Sequence, residues 1–336
     1  MSAVASSVPQ HMQALVVERL APNFDGCSVQ TRPIPQPAAG EVLIRVQAAC
    51  IGFPDLLMTH GGYQYKPELP FVLGSEMAGE VVRSDHTAFT VGTRVACLGR
   101  GGAFAEYAVC GVDSMRKLPT HFSFAEAAAF PAAYLTAYVG FVKRAQLQAG
   151  EWVLVHGASG GIGLAAVDLA KALGARVIAA SSSVEKLRAL SQAYAPDALL
   201  NSSGPFREQV NEITGGRGVD VVFDPVGGEV FDESTHCLAF GGRLLVVGFA
   251  SGRIPTFKVN HALIKGYAVV GVRAGEYTRR FPERGRECLD AIWELAAQKR
   301  VHPRVHASVA LNRWREAFEL MTRRQTVGRV VLIPQE

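Results

Sequence analysis

The chain has 336 residues, of which 49% are hydrophobic and 34 are glycine, and a formal net charge of +4 at pH 7. That length and apolar content predict about two domains with sizeable cores, and the mild charge includes no lysine or arginine block of the kind nucleic-acid binding needs. Nine histidines show no metal-ligand spacing and six cysteines form no Cys-x-x-Cys pair, so free thiols in a reducing, cytoplasmic setting are expected.

Residues 1–12 are expected to form a disordered tail. The first eleven are small and polar, without the basic start and apolar centre of a secretory signal. Strand-like runs come next at 13–19 and 41–49, bridged by an extended connection carrying Pro33, Pro35 and Pro37. A short helix is expected at 54–60, stopped by Gly61 and Gly62. Further strands at 77–82, 94–97 and 104–109, separated by turn residues, predict a β-rich unit curled into a partial barrel. The most apolar stretch, 125–142, is interrupted by Glu126 and Pro131; it reads as two core helices and not as a membrane span.

The stretch from 152 to 183 then changes the grammar. An apolar run at 152–155 leads into Gly157, Gly160, Gly161 and Gly163, then a helical pattern at 164–173 and a second apolar run at 176–180. Strand, glycine turn, helix and strand in that order form the βαβ unit that binds dinucleotides. Glycine permits a sharp reversal off the strand. Against Gly-x-Gly-x-x-Gly, Ala158 takes the first position and Gly160 and Gly163 the others. A bare Gly160 lets a pyrophosphate approach the backbone, and the first helical turn aims free N–H groups and a positive dipole end at it. Ala158, Ser159, Gly160, Gly161, Ile162 and Gly163 are therefore the expected phosphate contacts. NAD-binding units usually carry an acid about 20 residues on, for the ribose 2′-hydroxyl. This chain has Ser181, Ser182 and Ser183 there, with Lys186 one turn in. That composition predicts NADPH, with Ser181, Ser182 and Lys186 at the 2′-phosphate; a merely solvated Lys186 is the competing reading.

Helices at 184–194, 206–213 and 229–238 alternate with strands at 198–200, 219–223 and 243–247, which predicts a doubly wound parallel sheet. A strand at 268–272, helices at 283–299 and 312–324 and a strand at 328–333 close the chain.

The motifs GFPDLLMTHGGY (52–63), LPFVLGSEMAGEVV (69–82), AFPAAYLTAY (129–138), HGASGGIGLAAVDLAKALGA (156–175), VVFDPVGG (221–228), LVVGFASG (245–252) and VGRVVLIP (327–334) together resemble the NADPH:quinone oxidoreductases of the medium-chain dehydrogenase/reductase superfamily. The resemblance implies a GroES-like catalytic domain at 13–130 and 273–336 and a Rossmann domain at 131–272. It implies no zinc: the positions matching the family's three catalytic ligands are Gly52, Ser75 and Ala132, and neither a glycine nor an alanine side chain can ligate. Cys50 lies nearby but out of step by two residues, and the structural-zinc cysteines are missing.

The same resemblance implies hydride transfer from NADPH to an electron-poor acceptor, a quinone or else an activated alkene such as an enone, haloacrylate or acyl-CoA thioester. A third reading, from another class, is an NADPH-binding structural or RNA-contacting protein without turnover. Thr136, Asp224, Val226 and the Gly248, Phe249, Ala250, Ser251 segment are expected at the ribose–nicotinamide end, with Arg273 and Arg329 as further cofactor contacts. Asp55 and Tyr63 match positions bordering the substrate. Each has a plainer alternative: a helix-capping Asp55, a packing Tyr63, a backbone-bonded Thr136, a turn-forming Asp224, a core Phe249 and an ion-paired Arg273. Two departures from the family stand out: Gly52 replaces a usual asparagine, and Asn201-Ser202 replaces a tyrosine that packs at the 2′-phosphate. Arg279, Arg280 and Arg284 can supply a basic track for an acyl-CoA, although a solvated helix face is the favoured reading. A homodimer with no membrane partner completes the expectation.

Overall fold

The computed structural model describes residues 8–334. They divide into two units: one holds the described residues up to Ala132 and from Val305, and the other is Ala133–Arg304.

The first unit opens with β1 (His11–Val17), β2 (Cys27–Pro33), β3 (Glu41–Cys50), the short helix α1 (Phe53–Met58) and β4 (Phe71–Val72). It continues with β5 (Glu76–Arg83), β6 (Arg94–Leu98), β7 (Tyr107–Gly111), β8 (Met115–Lys117) and α2 (Phe124–Ala129). Of the expected tail, 1–7 lie outside the described residues. Its end is corrected, because β1 starts at His11, which pairs with Pro33 of β2, and Met12 is buried beside Ala14 and Val16. The proline-bearing connection likewise proves to contain a strand, β2, paired antiparallel with β1 along its whole length.

The second unit starts within α3 (Pro131–Tyr138), which passes into a π-helical turn at Val139–Ala145. Gly140 allows this turn its close approach to the sheet, since a Cβ there would lie 3.3 Å from the Phe223 ring. Then come β9 (Trp152–Val155), α4 (Gly161–Ala172), β10 (Arg176–Ser181), α5 (Val184–Tyr194), β11 (Ala198–Asn201), α6 (Arg207–Ile213) and β12 (Val219–Asp224). The series ends with α7 (Gly228–Ser234), β13 (Leu238–Val246), α8 (Val259–Lys265), β14 (Ala268–Gly271), α9 (Ala274–Arg280) and α10 (Pro282–Ala297). The six strands are parallel in the order β11-β10-β9-β12-β13-β14. Helices cover both faces of such a sheet, so its strands read as continuous apolar runs; every residue of β12 is buried.

Residues 273–304, expected with the first domain, belong to this second unit. The reason is packing. α10 buries Cys288, Ile292, Trp293 and Ala296, and the segment after it is tied down by polar bonds. Asp168 of α4 accepts from the His302 N–H at 2.6 Å and from the Tyr134 hydroxyl at 2.6 Å, and Tyr194 donates to the His302 carbonyl.

The chain returns to the first unit with β15 (Val305–Ala310), α11 (Trp314–Thr322) and β16 (Arg329–Ile333). The main sheet of that unit runs β15-β16-β3-β5-β6-β8 with β7 also on β3, and β2-β1-β4 form a second small sheet. Both sheets lie within this β-rich unit. Its core holds Leu15, Ile44, Met77, Phe104 and Leu332, and Phe318 takes edge-to-face contacts from Phe24, Phe104 and Trp314. Each such buried ring contributes about 1.5–3 kcal/mol.

Candidate functional site

All six strands of the parallel sheet end on one edge, where ligands of such folds bind. The loop after β9, the first strand in chain order and the switch point of the sheet, is the glycine turn. Gly157 sits at φ +57. The Ala158 N–H donates to the Ala180 carbonyl at 3.0 Å and the Gly160 N–H to the Gly157 carbonyl at 2.9 Å. Ala158 and Ser159 are buried, whereas Gly160, Gly161 and Ile162 reach the surface in part. A Cβ on Gly163 would lie 2.2 Å from the Gly157 carbonyl oxygen, and one on Gly160 3.3 Å from it. Only glycine permits this closeness at 163, so α4 starts tight against the strand with its N–H groups at the sheet edge.

The next loop begins at Ser181, which is buried and whose hydroxyl accepts from the Ser183 N–H. Ser183 caps α5 by accepting from the Lys186 N–H at 3.3 Å, and its hydroxyl donates to Glu185 at 2.8 Å. Ser182 is exposed and Lys186 half-buried. Sequence reasoning misses Glu185, an acid in the first turn of α5, although it stands only two places beyond the serines.

After β12, Asp224 is buried and Oδ1 accepts from the N–H groups of Val226 and Gly227 at 2.8 and 2.9 Å. Burial raises its carboxyl to about 6, against the pull of those two N–H groups. Asp224 therefore shapes its own turn. Val226 lies beside the glycine turn: a Cβ on Gly157 would be 3.3 Å from its methyl. The loop after β13 folds onto this turn, with Ala250 N donating to Pro225 O and Ser251 N to Val226 O. Gly248 passes close to Pro225, and Phe249, not a core residue, is partly exposed over Gly227. Thus Ala158 to Gly163, Ser181 to Lys186, Asp224, Val226 and Gly248 to Ser251 share one edge of the sheet.

His156, directly before the glycine turn, is fully buried, and burial pushes its imidazole down to about 3. Its Nε2 meets Ser234 Oγ at 2.8 Å, while Ser234 donates to the Val230 carbonyl. The ring is therefore neutral, and it joins α7 to the end of β9. Thr136 is half-buried on α3. Arg273 is exposed, 3.9 Å from Glu276, an ion pair on the surface.

The first unit holds a second polar cluster. Asp55 is fully buried and caps α1: its Oδ2 accepts from the Gly52 N–H at 2.7 Å, and Oδ1 has no partner. Burial raises its carboxyl to about 7; the Gly52 N–H and Arg329 oppose the rise and Glu76 adds to it. Glu76 Oε2 accepts from the Ala132 N–H at 3.0 Å, and Oε1 pairs with Arg329. Arg329 Nε donates to Cys50 Sγ at 2.9 Å. Burial pushes the Cys50 thiol up to about 12 despite that guanidinium. Arg329, expected among the cofactor contacts, is instead committed here, buried between a carboxylate and a thiol. Tyr63 is half-buried against the core of the same unit.

This cluster also bears on metal binding. Gly52, Ser75 and Ala132 offer no thiolate, imidazole or carboxylate, Asp55 and Glu76 are engaged with the backbone at 52 and 132, and zinc requires such donors. Among the described residues, no group of three or more His, Cys, Asp or Glu side chains is placed to hold a metal ion. The residues present do not fit a catalytic zinc. No helix among them is long and apolar enough to cross a membrane.

The family described as Zinc-binding dehydrogenase matches residues 161–293, and the Alcohol dehydrogenase GroES-like domain matches residues 38–120. A quinone oxidoreductase-like protein 2 homolog of Nematostella vectensis is 39% identical over 87% of this chain and 81% of its own. The acryloyl-coenzyme A reductase of Metallosphaera sedula is 32% identical over 96% and 99%. A mycobacterial protein solved in complex with NADPH superposes with a TM-score of 0.87 at 31% identity, covering 96% of this chain and all of its own.

Proposed function

Since the chain belongs to the medium-chain dehydrogenase/reductase superfamily, among its quinone oxidoreductase-like oxidoreductases, we propose that it is a zinc-independent, NADPH-dependent reductase whose acceptor is a quinone. The observation that carries this reading is the glycine turn, where Gly163 leaves no room for a side chain beside the Gly157 carbonyl and a Cβ on Gly160 would lie only 3.3 Å from it. NADPH supplies the hydride when bound. The protein's part is to hold and orient. The glycine turn and the N-terminus of α4 take the pyrophosphate. Ser181, Ser182 and Lys186 take the 2′-phosphate, and Glu185 is held aside by Ser183. The Asp224 turn, Val226, Gly248 to Ser251 and Thr136 frame the nicotinamide end. Tyr63 donates its hydroxyl to the acceptor oxygen as charge develops there. Asp55 sets the backbone at Gly52.

A second reading is reduction of an activated alkene, supported by the similarity to an acryloyl-coenzyme A reductase. Either acceptor is electron-poor enough to take hydride without a Lewis acid. We also propose a homodimer. β14 is an edge strand without a charge or proline, and Phe240 of β13 and Val259, Leu263 and Ile264 of α8 stand exposed, features that favour pairing with a second copy. The six cysteines are all unpaired and buried, which suits a reducing cytoplasm.

The test is NADPH consumption with 1,4-benzoquinone, 9,10-phenanthrenequinone and an enone, with metal analysis of the same preparation. Oxidation by the quinones with zinc well below one per chain is expected. Turnover that needs stoichiometric zinc, or no oxidation by any acceptor, would overturn the reading.

A further inference from the structure

The stretch 273–286 holds Arg273, Arg279, Arg280, Arg284 and Arg286 against Glu276 and Glu283. Five cations against two anions leave +3, most of the +4 carried by the whole chain. The next acid, Glu287, lies 3.7 Å from Lys143. Charge this concentrated on fourteen residues is not the even mixture of an ordinary solvated face.

Its place in the fold matters. β14 runs parallel to β13, Gly271 opposite Val246, and the Val272 N–H donates to the Val246 carbonyl. α9 therefore leaves the sheet at the same edge as the glycine turn, one strand over from the Gly248 to Ser251 loop. The α9–α10 corner is closely packed. Gly285 is buried, and a Cβ there would lie 2.8 Å from the Thr278 Cβ, so no larger residue permits the two helices to pack this closely.

The corner also organises its cations. Glu276 accepts from Arg279 Nε at 3.1 Å and Arg280 Nε at 2.6 Å, with Arg273 at 3.9 Å. One carboxylate thus gathers three guanidiniums. Hydrogen bonds from Arg279 and Arg280 hold its carboxyl down to about 2. The three arginine side chains remain 59–72% exposed, with Arg279 turning Nε and one terminal nitrogen to Glu276 and Arg280 only its Nε. Beside them, the Tyr277 and Phe281 rings lie 5.4 Å apart, Arg284 sits 5.4 Å over Phe281, and Phe281 is 46% exposed. Guanidiniums that bind phosphate in a fork, next to a partly exposed aromatic pair that can pack against a base once Arg284 swings off the Phe281 ring, suit a phosphorylated adenine nucleotide.

We propose that the α9–α10 corner binds the 3′-phospho-ADP end of a coenzyme A thioester, and so selects acyl thioesters among the acceptors this protein can reduce. The proposal rests on the activated-alkene branch of the functional reading. Arg279 and Arg280 hold the phosphates, Phe281 and Tyr277 stack with the adenine, and Glu276 keeps the guanidiniums convergent.

The test uses the full chain saturated with NADPH, so that the cofactor's own 2′-phospho-ADP end occupies its site. Adenosine 3′,5′-bisphosphate and coenzyme A are titrated calorimetrically. One further site per chain is expected for both, weakened at least tenfold in Arg279→Ala/Arg280→Ala and several-fold in Phe281→Ala. NADPH affinity and quinone reduction should be unchanged in these variants, which also shows that they fold. Crotonyl-coenzyme A should have a KM at least tenfold below that of its N-acetylcysteamine thioester, with the gap closed in the double variant. The proposal is overturned if neither nucleotide binds, if both merely displace NADPH, or if binding ignores the two arginines. In each case intact quinone reduction would leave the functional reading standing. Absence of NADPH oxidation with every acceptor would instead sink that reading, while the calorimetry still decides whether the corner binds a nucleotide.

Discussion

The glycine turn of the second unit and the buried cluster of the first unit are built in opposite ways. The turn is shaped by missing side chains: a Cβ on Gly163 would strike the Gly157 carbonyl, and the backbone N–H groups that open α4 stand at the sheet edge. The cluster works through side chains taken out of water at a cost: Asp55, Glu76 and Arg329 are all buried, with Cys50 beside them. The turn comes from seven consecutive residues, 157–163. The cluster draws on positions 50, 55, 76, 132 and 329. A site built on backbone is tuned by size, whereas one built on buried charge is tuned by balance, and the two should fail differently when mutated.

The largest expected effect is in the cluster. Arg329→Met leaves Glu76 buried without its cation and should cost about 3–5 kcal/mol of stability, read from denaturant unfolding. The double variant with Glu76→Gln should recover a good part of it, since coupled neighbours are non-additive. A single-variant loss below about 1 kcal/mol would mean that the pair behaves like an exposed ion pair.

Next comes the turn. Gly163→Ala places a methyl against a backbone carbonyl, 2.2 Å from its oxygen. Overpacking of this kind costs about 1–3 kcal/mol, and the loss should appear also as weakened NADPH binding, because the same shift moves the end of α4. Wild-type affinity in this variant would contradict the cradle.

Asp55→Asn separates capping from charge. The amide oxygen keeps the bond from Gly52 N–H but cannot ionise. Asp55 has its carboxyl raised from 3.8 to about 7. A raised carboxyl favours the folded state at low pH, and that contribution is lost as pH climbs from about 4 to about 7. The variant should therefore gain on the wild type with rising pH, by about 2 kcal/mol more at pH 8 than at pH 5. A pH-independent difference in thermal unfolding would show that Asp55 does not titrate there.

The smallest effect belongs to the cofactor's far end. On the proposed NADPH reading, Lys186→Ala removes one charged hydrogen bond to the 2′-phosphate. NADPH affinity should fall about tenfold, equivalent to ~1.4 kcal/mol, with NADH unaffected. Equal losses for both cofactors would place Lys186 elsewhere.

The same contrast explains what is legible in the sequence. The parallel sheet, its switch point and the glycine turn come from local periodicity and glycine spacing, which act within a few residues. β15 escapes a sequence reading because Val305–Ala310 has a weak apolar pattern and is held by pairing with β16. The boundary at 304 is equally hidden, because it depends on Asp168, which binds His302 from 134 positions away. Arg329 misleads for a related reason: an arginine near the end of a strand looks available to a phosphate until Glu76 and Cys50 are found against it. Asp55 is visible as a candidate, but only the fold shows that its carboxylate turns inward to cap its own helix.

The central claim is tested most directly by calorimetric titration of the chelator-treated protein with NADPH and with NADH. One NADPH per chain, bound at least tenfold more tightly than NADH and indifferent to chelation, is the predicted result. No binding of either cofactor, a preference for NADH, or binding abolished by the chelator would contradict the account.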